Sequence, residues 1–409
     1  MEKDGEIDLK AKINIVNLIN ISLFILMYAF RSFTDAIYVS KGIESNFLIN
    51  IKYVVLGVAI LFGIFQLKYK KEKTIYNKEL FNIIIVITTI VVISLVMMII
   101  SGRQYSSFLE GIIKLLLPVI YVYLVLNLFE FKDIYKCMCV TLILSFIGYI
   151  LEIGINKFTI NNFMKIDFLH SYSPFESHFS AGTSIAMCAF FMYYRKNKLF
   201  KYMSILFAIL TFKRMAVIFA LLLLFLPRII DVNKNIKRKY KNIIKIIFII
   251  LTLGYFWLLT PQASVTFEKF FGQSQTSMTM GRSDFLQSLL NMNFVSSGYG
   301  SISNTLGRGL EMDLISIYLE TTIIGLIVFI NGYWNCAGNK GYTFIYMMFQ
   351  LLNLLVSHSL SNSFNWILAF LIIGCISYKR DKKFEIKTLK LNNKVGEING
   401  KNINNYTHI

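Results

Sequence analysis

Charged residues are scarce in this chain: they make up 16% of its 409 positions, against 56% hydrophobic ones. A soluble globular protein of this length needs far more polar surface to cover its core, so that class is excluded. The five cysteines (Cys137, Cys139, Cys188, Cys336, Cys375) have no cysteine or histidine partner at metal-ligand spacing, so no metal site is expected. Nucleic-acid fold motifs and basic–aromatic interleaving are also missing, and the net charge of +19 therefore does not point to nucleic acid. There is no internal repeat. No small-residue cleavage site follows the first apolar run, so no cleavable signal is expected.

What the chain has instead is apolar runs of about 15 to 22 residues from end to end, each near the ~20 residues a helix needs to cross hydrocarbon. Open sheets cannot satisfy their backbones in lipid, so the runs read as helices. They place spans at 13–30, 47–67, 81–100, 108–128, 134–154, 177–194, 199–212, 214–230, 243–260, 313–334, 341–358 and 364–378. The expected fold is all-α: a polytopic integral membrane bundle of about twelve transmembrane helices, forming one domain over 1–378. A polar Lys/Asn-rich tail follows over 379–409.

Lysine and arginine set the orientation. With the N-terminus cytoplasmic, one side holds Lys68, Lys70, Lys71, Lys73 and Lys78, then Arg195, Lys196 and Lys198. The same side carries Arg228, Lys234, Lys237, Arg238, Lys239, Lys241 and the basic tail. The other side is poorer in cations and contains the longest connection, 261–312. Both termini inside the cytoplasmic membrane and that loop outside is the expected topology.

The outer face then collects the chain's unusual polar residues. Lys213–Arg214 sits between two apolar runs; it reads either as a snorkelling helix-end pair or as an anion site, since guanidinium matches phosphate oxygens. In the long loop Arg282 opens an amphipathic segment with Phe285, Leu286, Leu289 and Leu290 at helical spacing, ending in Gly298-Tyr299-Gly300. That segment reads equally as a surface helix lying on the membrane. Glu311 and Asp313 flank the start of the tenth span, where acids also complement a helix dipole. Glu320 lies about 10 Å deeper on a similar face, and a carboxylate inside a span usually faces a cavity or a partner. His178 and His358 stand at outer helix ends, as interfacial hydrogen-bonding residues or as catalysts. Glu110 and Lys114, an i,i+4 pair inside the fourth span, read as a structural ion pair facing the bundle.

In this order the residues resemble the Wzy-type polysaccharide polymerase and O-antigen ligase superfamily. The likeness rests on Lys213–Arg214 opening a late helix and on a long outer loop with Gly281-Arg282, Gly298 and Gly300. It continues through Glu311-Met312-Asp313 and Glu320 to Ile324-Gly325, and through His358 before the last helix. It covers roughly 175–378; the first half matches in hydropathy alone. The resemblance implies a metal-independent membrane glycosyltransferase with no cofactor, acting on oligosaccharide carried by undecaprenyl diphosphate. Its expected partners are that lipid-linked glycan, membrane lipids, a chain-length regulator and a flippase. It assigns the diphosphate to Lys213, Arg214 and Arg282, acid–base work to Glu311, Asp313, Glu320 and His358, and an acceptor-side role to His178 and Arg308. Ligases of this superfamily typically begin the late helix with a histidine; Glu311 stands there, which favours a polymerase. A ligase, or a flippase with two related halves and short outer loops, is the alternative.

Overall fold

The structure is a computed structural model describing residues 2–41, 46–70, 74–103, 106–167, 173–177, 179–211, 213–229 and 231–378. The predicted tail and His178 lie outside the described residues. Helices α1 (Glu2–Lys41), α2 (Asn46–Lys68), α3 (Asn77–Ser101), α4 (Ser106–Leu128) and α5 (Phe131–Ile153) come first. A short α6 (Ile160–Phe163) leads to α7 (Ser180–Tyr194), α8 (Lys198–Leu210), α9 (Arg214–Ile229) and α10 (Arg238–Leu258). The long loop carries α11 (Ser264–Phe271), α12 (Gln275–Thr279), α13 (Arg282–Asn291) and α14 (Ser301–Leu306). The chain closes with α15 (Asp313–Cys336), α16 (Gly341–Val356) and α17 (Ser363–Tyr378). The fold is all-α: among the described residues the only extended pairing is one isolated bridge, Asn235 with Lys340.

Each of the twelve predicted spans falls on a helix, but the helices are of two kinds. Seven are long and apolar enough to cross a membrane: α1 (over Ile15–Tyr38), α2 (over Asn50–Lys68), α3, α4, α5, α10 and α15. The chain is therefore built as a multi-pass membrane protein. The other five are shorter, at 15 residues for α7, 13 for α8 and 16 each for α9, α16 and α17. At 1.5 Å per residue a 16-residue helix rises about 24 Å, less than the ~30 Å hydrocarbon layer.

Packing explains why two of the short helices are still apolar on every side. From Phe364 to Ile376 nearly all of α17 is buried, packed on α4 and α7 and touching α15 where Tyr333 meets Trp366 and Phe370. In α7 every residue from Thr183 to Tyr194 is buried. A helix surrounded by protein shows no amphipathic stripe, and its length is matched to its neighbours rather than to lipid. Around this centre α1 packs on α5 and α2, and α15 on α3, α10 and α16. The α15–α3 contact is close because Gly332 has no side chain: a Cβ there would sit 2.2 Å from Val86 Cγ2.

The long loop folds on a small core of its own. Leu286 and Leu289 of α13 are fully buried with Leu259, Ile302, Leu310, Met312 and Ile315. The amphipathic segment starting at Arg282 is thus a helix, as its spacing predicts, but its apolar face turns inward onto the top of α10 and α15 rather than onto lipid. Burying two leucines there stabilises the loop by roughly 3–6 kcal/mol in transfer terms.

Candidate functional site

The loop core sets the start of α15 against the α16–α17 connection, and a cavity of about 170 Å³ opens between them. Its walls come from α4 (Ser107, Glu110, Gly111, Lys114), the Tyr299–Ser303 turn, α15 (Asp313, Ser316, Ile317, Glu320) and the connection (His358, Leu360, Ser361).

Asp313 organises this site. Its Oδ1 lies 2.7 Å from His358 Nδ1, and its Oδ2 accepts from the backbone N–H groups of Ser359 and Leu360, each at 2.7 Å. Both oxygens of a carboxylate with 3% exposure are thereby committed to the connection. This goes beyond the helix-dipole role that its place at the start of α15 suggests: Asp313 holds the loop that presents the histidine. The imidazole remains open to solvent on its far side, where Nε2 lies 3.1 Å from Ser361 Oγ. The Asp313 charge pushes the His358 imidazole above its usual value; burial and the Lys114 ammonium oppose that rise. With Nδ1–H donated to Asp313, the neutral ring presents an acceptor at Nε2. Gly309 allows the approach, since a Cβ there would sit 2.9 Å from the ring.

Glu320 lines the floor of the same cavity, but it is not a free base. It is buried, and Oε1 accepts from the Ile302 N–H at 2.8 Å, tying the first turn of α14 to α15. Its backbone carbonyl, in turn, accepts from Ser296 Oγ at 2.7 Å. That carbonyl is available because α15 breaks just beyond it: Thr322 has φ 63° and ψ −177°, a conformation strained for a β-branched residue.

The Gly298-Tyr299-Gly300 turn has a structural reason for both glycines. Their φ values are 96° and 90°, and a Cβ on Gly298 would stand 2.7 Å from Ser94 Cα of α3. The turn is thereby pressed against α3 and α4, where Tyr299 N–H donates to Ser94 Oγ at 2.9 Å. The Tyr299 ring lies over Gly111 of α4, leaving no room for a Cβ there.

Just before α15, Glu311 gathers two of the predicted cations. Arg308 Nη2 donates to its Oε1 at 2.6 Å, and Arg282 Nε lies 3.9 Å from its Oε2. Arg308 also covers the Phe285 ring at 3.8 Å, and Arg282 Nη1 donates to the Thr279 carbonyl at 3.0 Å. Glu311 adds to the field that raises His358, and the trio adjoins the lining residues Gly309, Leu310 and Asp313, although none of the three lines the cavity itself. Lys213 and Arg214 do not join it. Neither lines the cavity; Lys213 pairs with Glu176 at 3.9 Å, and Arg214 begins α9, which packs on α7 and α8. Sequence order made these cations neighbours of Arg282, and the helix arrangement puts them against other walls.

Sequence reasoning also misjudged the α4 pair. Glu110 and Lys114 are paired as their spacing predicts, but they face the cavity rather than the bundle interior, and Glu110 is 67% exposed. Another polar cleft was missed altogether. Arg31, buried on α1, donates through Nη2 to Asn365 Oδ1 at 2.7 Å and lies 3.6 Å from Asp35, which Lys52 holds at 2.6 Å. Glu152 of α5, facing the same cleft, accepts from Ser177 and Ser180. The signal was there in Arg31 and Asp35, four residues apart just past the first apolar run, and in Glu152 inside the fifth.

No protein-family model, no curated protein and no solved structure matches this chain.

Proposed function

We propose that this chain is a membrane glycosyltransferase that polymerises oligosaccharide repeat units carried on undecaprenyl diphosphate, at the outer face of the cytoplasmic membrane. In this reading all twelve apolar helices cross, the five short ones shielded from lipid mismatch by protein neighbours, and both termini are cytoplasmic. The observation that carries the reading is the Asp313–His358 pair, whose Nε2 meets only the Ser361 hydroxyl at 3.1 Å among the described residues and belongs to a ring lining the cavity that also holds Lys114, Glu110 and Glu320.

The chemistry needs a base, an orienting group and compensation for a departing diphosphate. An acceptor sugar hydroxyl attacks the anomeric carbon of the growing glycan, and its proton passes to His358 Nε2. The bond between that carbon and the diphosphate oxygen breaks, and the electron pair leaves with the diphosphate. Asp313 keeps the imidazole in the tautomer that accepts at Nε2 and stabilises the imidazolium that forms, as the orienting acid of a triad does. Arg282 and Arg308, gathered on Glu311 just before α15, supply positive charge beside the cavity. Glu320, engaged with the Ile302 N–H, shapes the floor rather than taking the proton.

The test is a lipid-linked repeat unit offered to the purified protein in lipid nanodiscs, with products resolved by length on gels. Wild type yields a ladder and His358→Ala yields single repeat units. No ladder from wild type would end the polymerase reading. In cells a polymerase deletion still displays single repeat units outside, whereas loss of a flippase displays none, which separates the main rival.

A further inference from the structure

The cavity contains one cation that the family likeness leaves without a role. That likeness starts at about residue 175, whereas Lys114 lies on α4. Resting on the function proposed above, we propose that Lys114 is the cavity's diphosphate-binding cation and that Glu110 is the internal competitor that occupies it until substrate arrives.

Four observations place Lys114 for this work. It lines the same cavity as His358 and Asp313. Its backbone carbonyl accepts from Ser363 Oγ at 2.8 Å, which pins this turn of α4 to the segment following His358. Its charge reaches the imidazole, opposing the rise that Asp313 causes. Its ammonium, 28% exposed as a side chain, is bound to Glu110, and among the described residues no backbone carbonyl holds it. By contrast Arg282 and Arg308 are committed to Glu311 and do not line the cavity.

The pair is built to exchange. Glu110 is 67% exposed, and ion pairs with such an exposed partner are weak. A diphosphate brings more charge and several acceptor oxygens to a compact ammonium, so it displaces a solvated carboxylate. Glu110 then swings to solvent, and a second anion is not trapped beside the phosphate. The resting pair also satisfies Lys114 when the cavity holds no ligand.

Two substitutions in this one pair therefore have opposite signs. The probe is farnesyl diphosphate binding to the purified full-length protein in nanodiscs, measured by calorimetry, with inorganic diphosphate and farnesol as separate arms. Lys114→Gln weakens farnesyl diphosphate about 10-fold or more, Lys114→Arg retains it, and Glu110→Gln tightens it about threefold. Retention in Lys114→Arg guards against misfolding as the cause of loss. Binding of inorganic diphosphate equal to that of the prenyl compound would make the ligand a free anion and overturn the lipid assignment. Unchanged affinity in Lys114→Gln, with wild type binding well and His358→Ala still losing the ladder, overturns this proposal and leaves the polymerase standing. Absence of prenyl diphosphate binding in wild type overturns both.

Discussion

Replacing Asp313 by asparagine tests the site with little change of shape. The carboxylate makes three contacts of 2.7 Å, one to His358 Nδ1 and two to the N–H groups of Ser359 and Leu360. An asparagine keeps the loop by turning its carbonyl oxygen to those two donors. Its NH₂ then faces Nδ1, which must become the acceptor, and Nε2 carries the proton instead. The base is thereby blocked, and transfer falls by ~10²–10⁴-fold, about 2.7–5.4 kcal/mol of barrier. The pH dependence changes as well. Asp313 is the main cause of the raised His358 pKa, set against Lys114 and helped by Glu311. Because the base works when deprotonated, wild-type activity rises as pH increases through that raised value. Asp313→Asn moves the rise to lower pH while the plateau drops. Stability follows the same linkage: the contribution of the pair is complete below the ordinary histidine value of about 6.5 and is lost as pH rises through the folded value. The assay is initial rate of ladder formation in nanodiscs from about pH 5 to 9, beside thermal unfolding. A variant with wild-type rate, or one whose rise moves to higher pH, refutes the reasoning.

Asp313→Ala removes the acceptor too, leaving the buried Leu360 N–H and the half-buried Ser359 N–H without it, and lowers unfolding stability by roughly 1–3 kcal/mol, where Asp313→Asn does not. Gly298→Ala brings a Cβ to 2.7 Å from Ser94 Cα at φ 96°, and thermal unfolding in detergent should drop by roughly 1–3 kcal/mol. Arg282→Ala shortens the glycan ladder at matched expression, and Arg282→Lys restores it only in part because the fork is lost; normal ladders from both remove Arg282 from the site. For topology, on a cysteine-free background, a cysteine at Ser274 is labelled by an impermeant reagent in intact cells and one at Lys239 is not; the reverse pattern overturns the orientation.

Hydropathy alone determined that the chain is all-α and where its twelve apolar helices lie, because a run without charges has no stable place except a helix in lipid or in a protein interior. It could not tell those two places apart. The 16 residues of α17 and the 24 of α15 are both apolar, yet only the assembled bundle reveals that α17 is enclosed by protein. The amphipathic spacing of 282–290 was likewise legible, while the choice between lipid and the Leu259–Ile315 core depended on where α10 ends and α15 begins. Glu320 could be singled out because an ionisable group at hydrocarbon depth needs a partner, Asp313, His358 and Arg282 because they stand at helix ends or in the long loop, and Arg308 through the resemblance alone. Which partners they have was decided by tertiary structure: His358 meets Asp313 across 45 residues, Glu320 meets a backbone donor, and Lys213 goes to Glu176. A spacing of four predicts that Glu110 touches Lys114, since both ride on one helix. Whether that pair faces neighbours or an open cavity is set by the distant Tyr299 turn and the His358 connection packed opposite, and local periodicity contains no information about them.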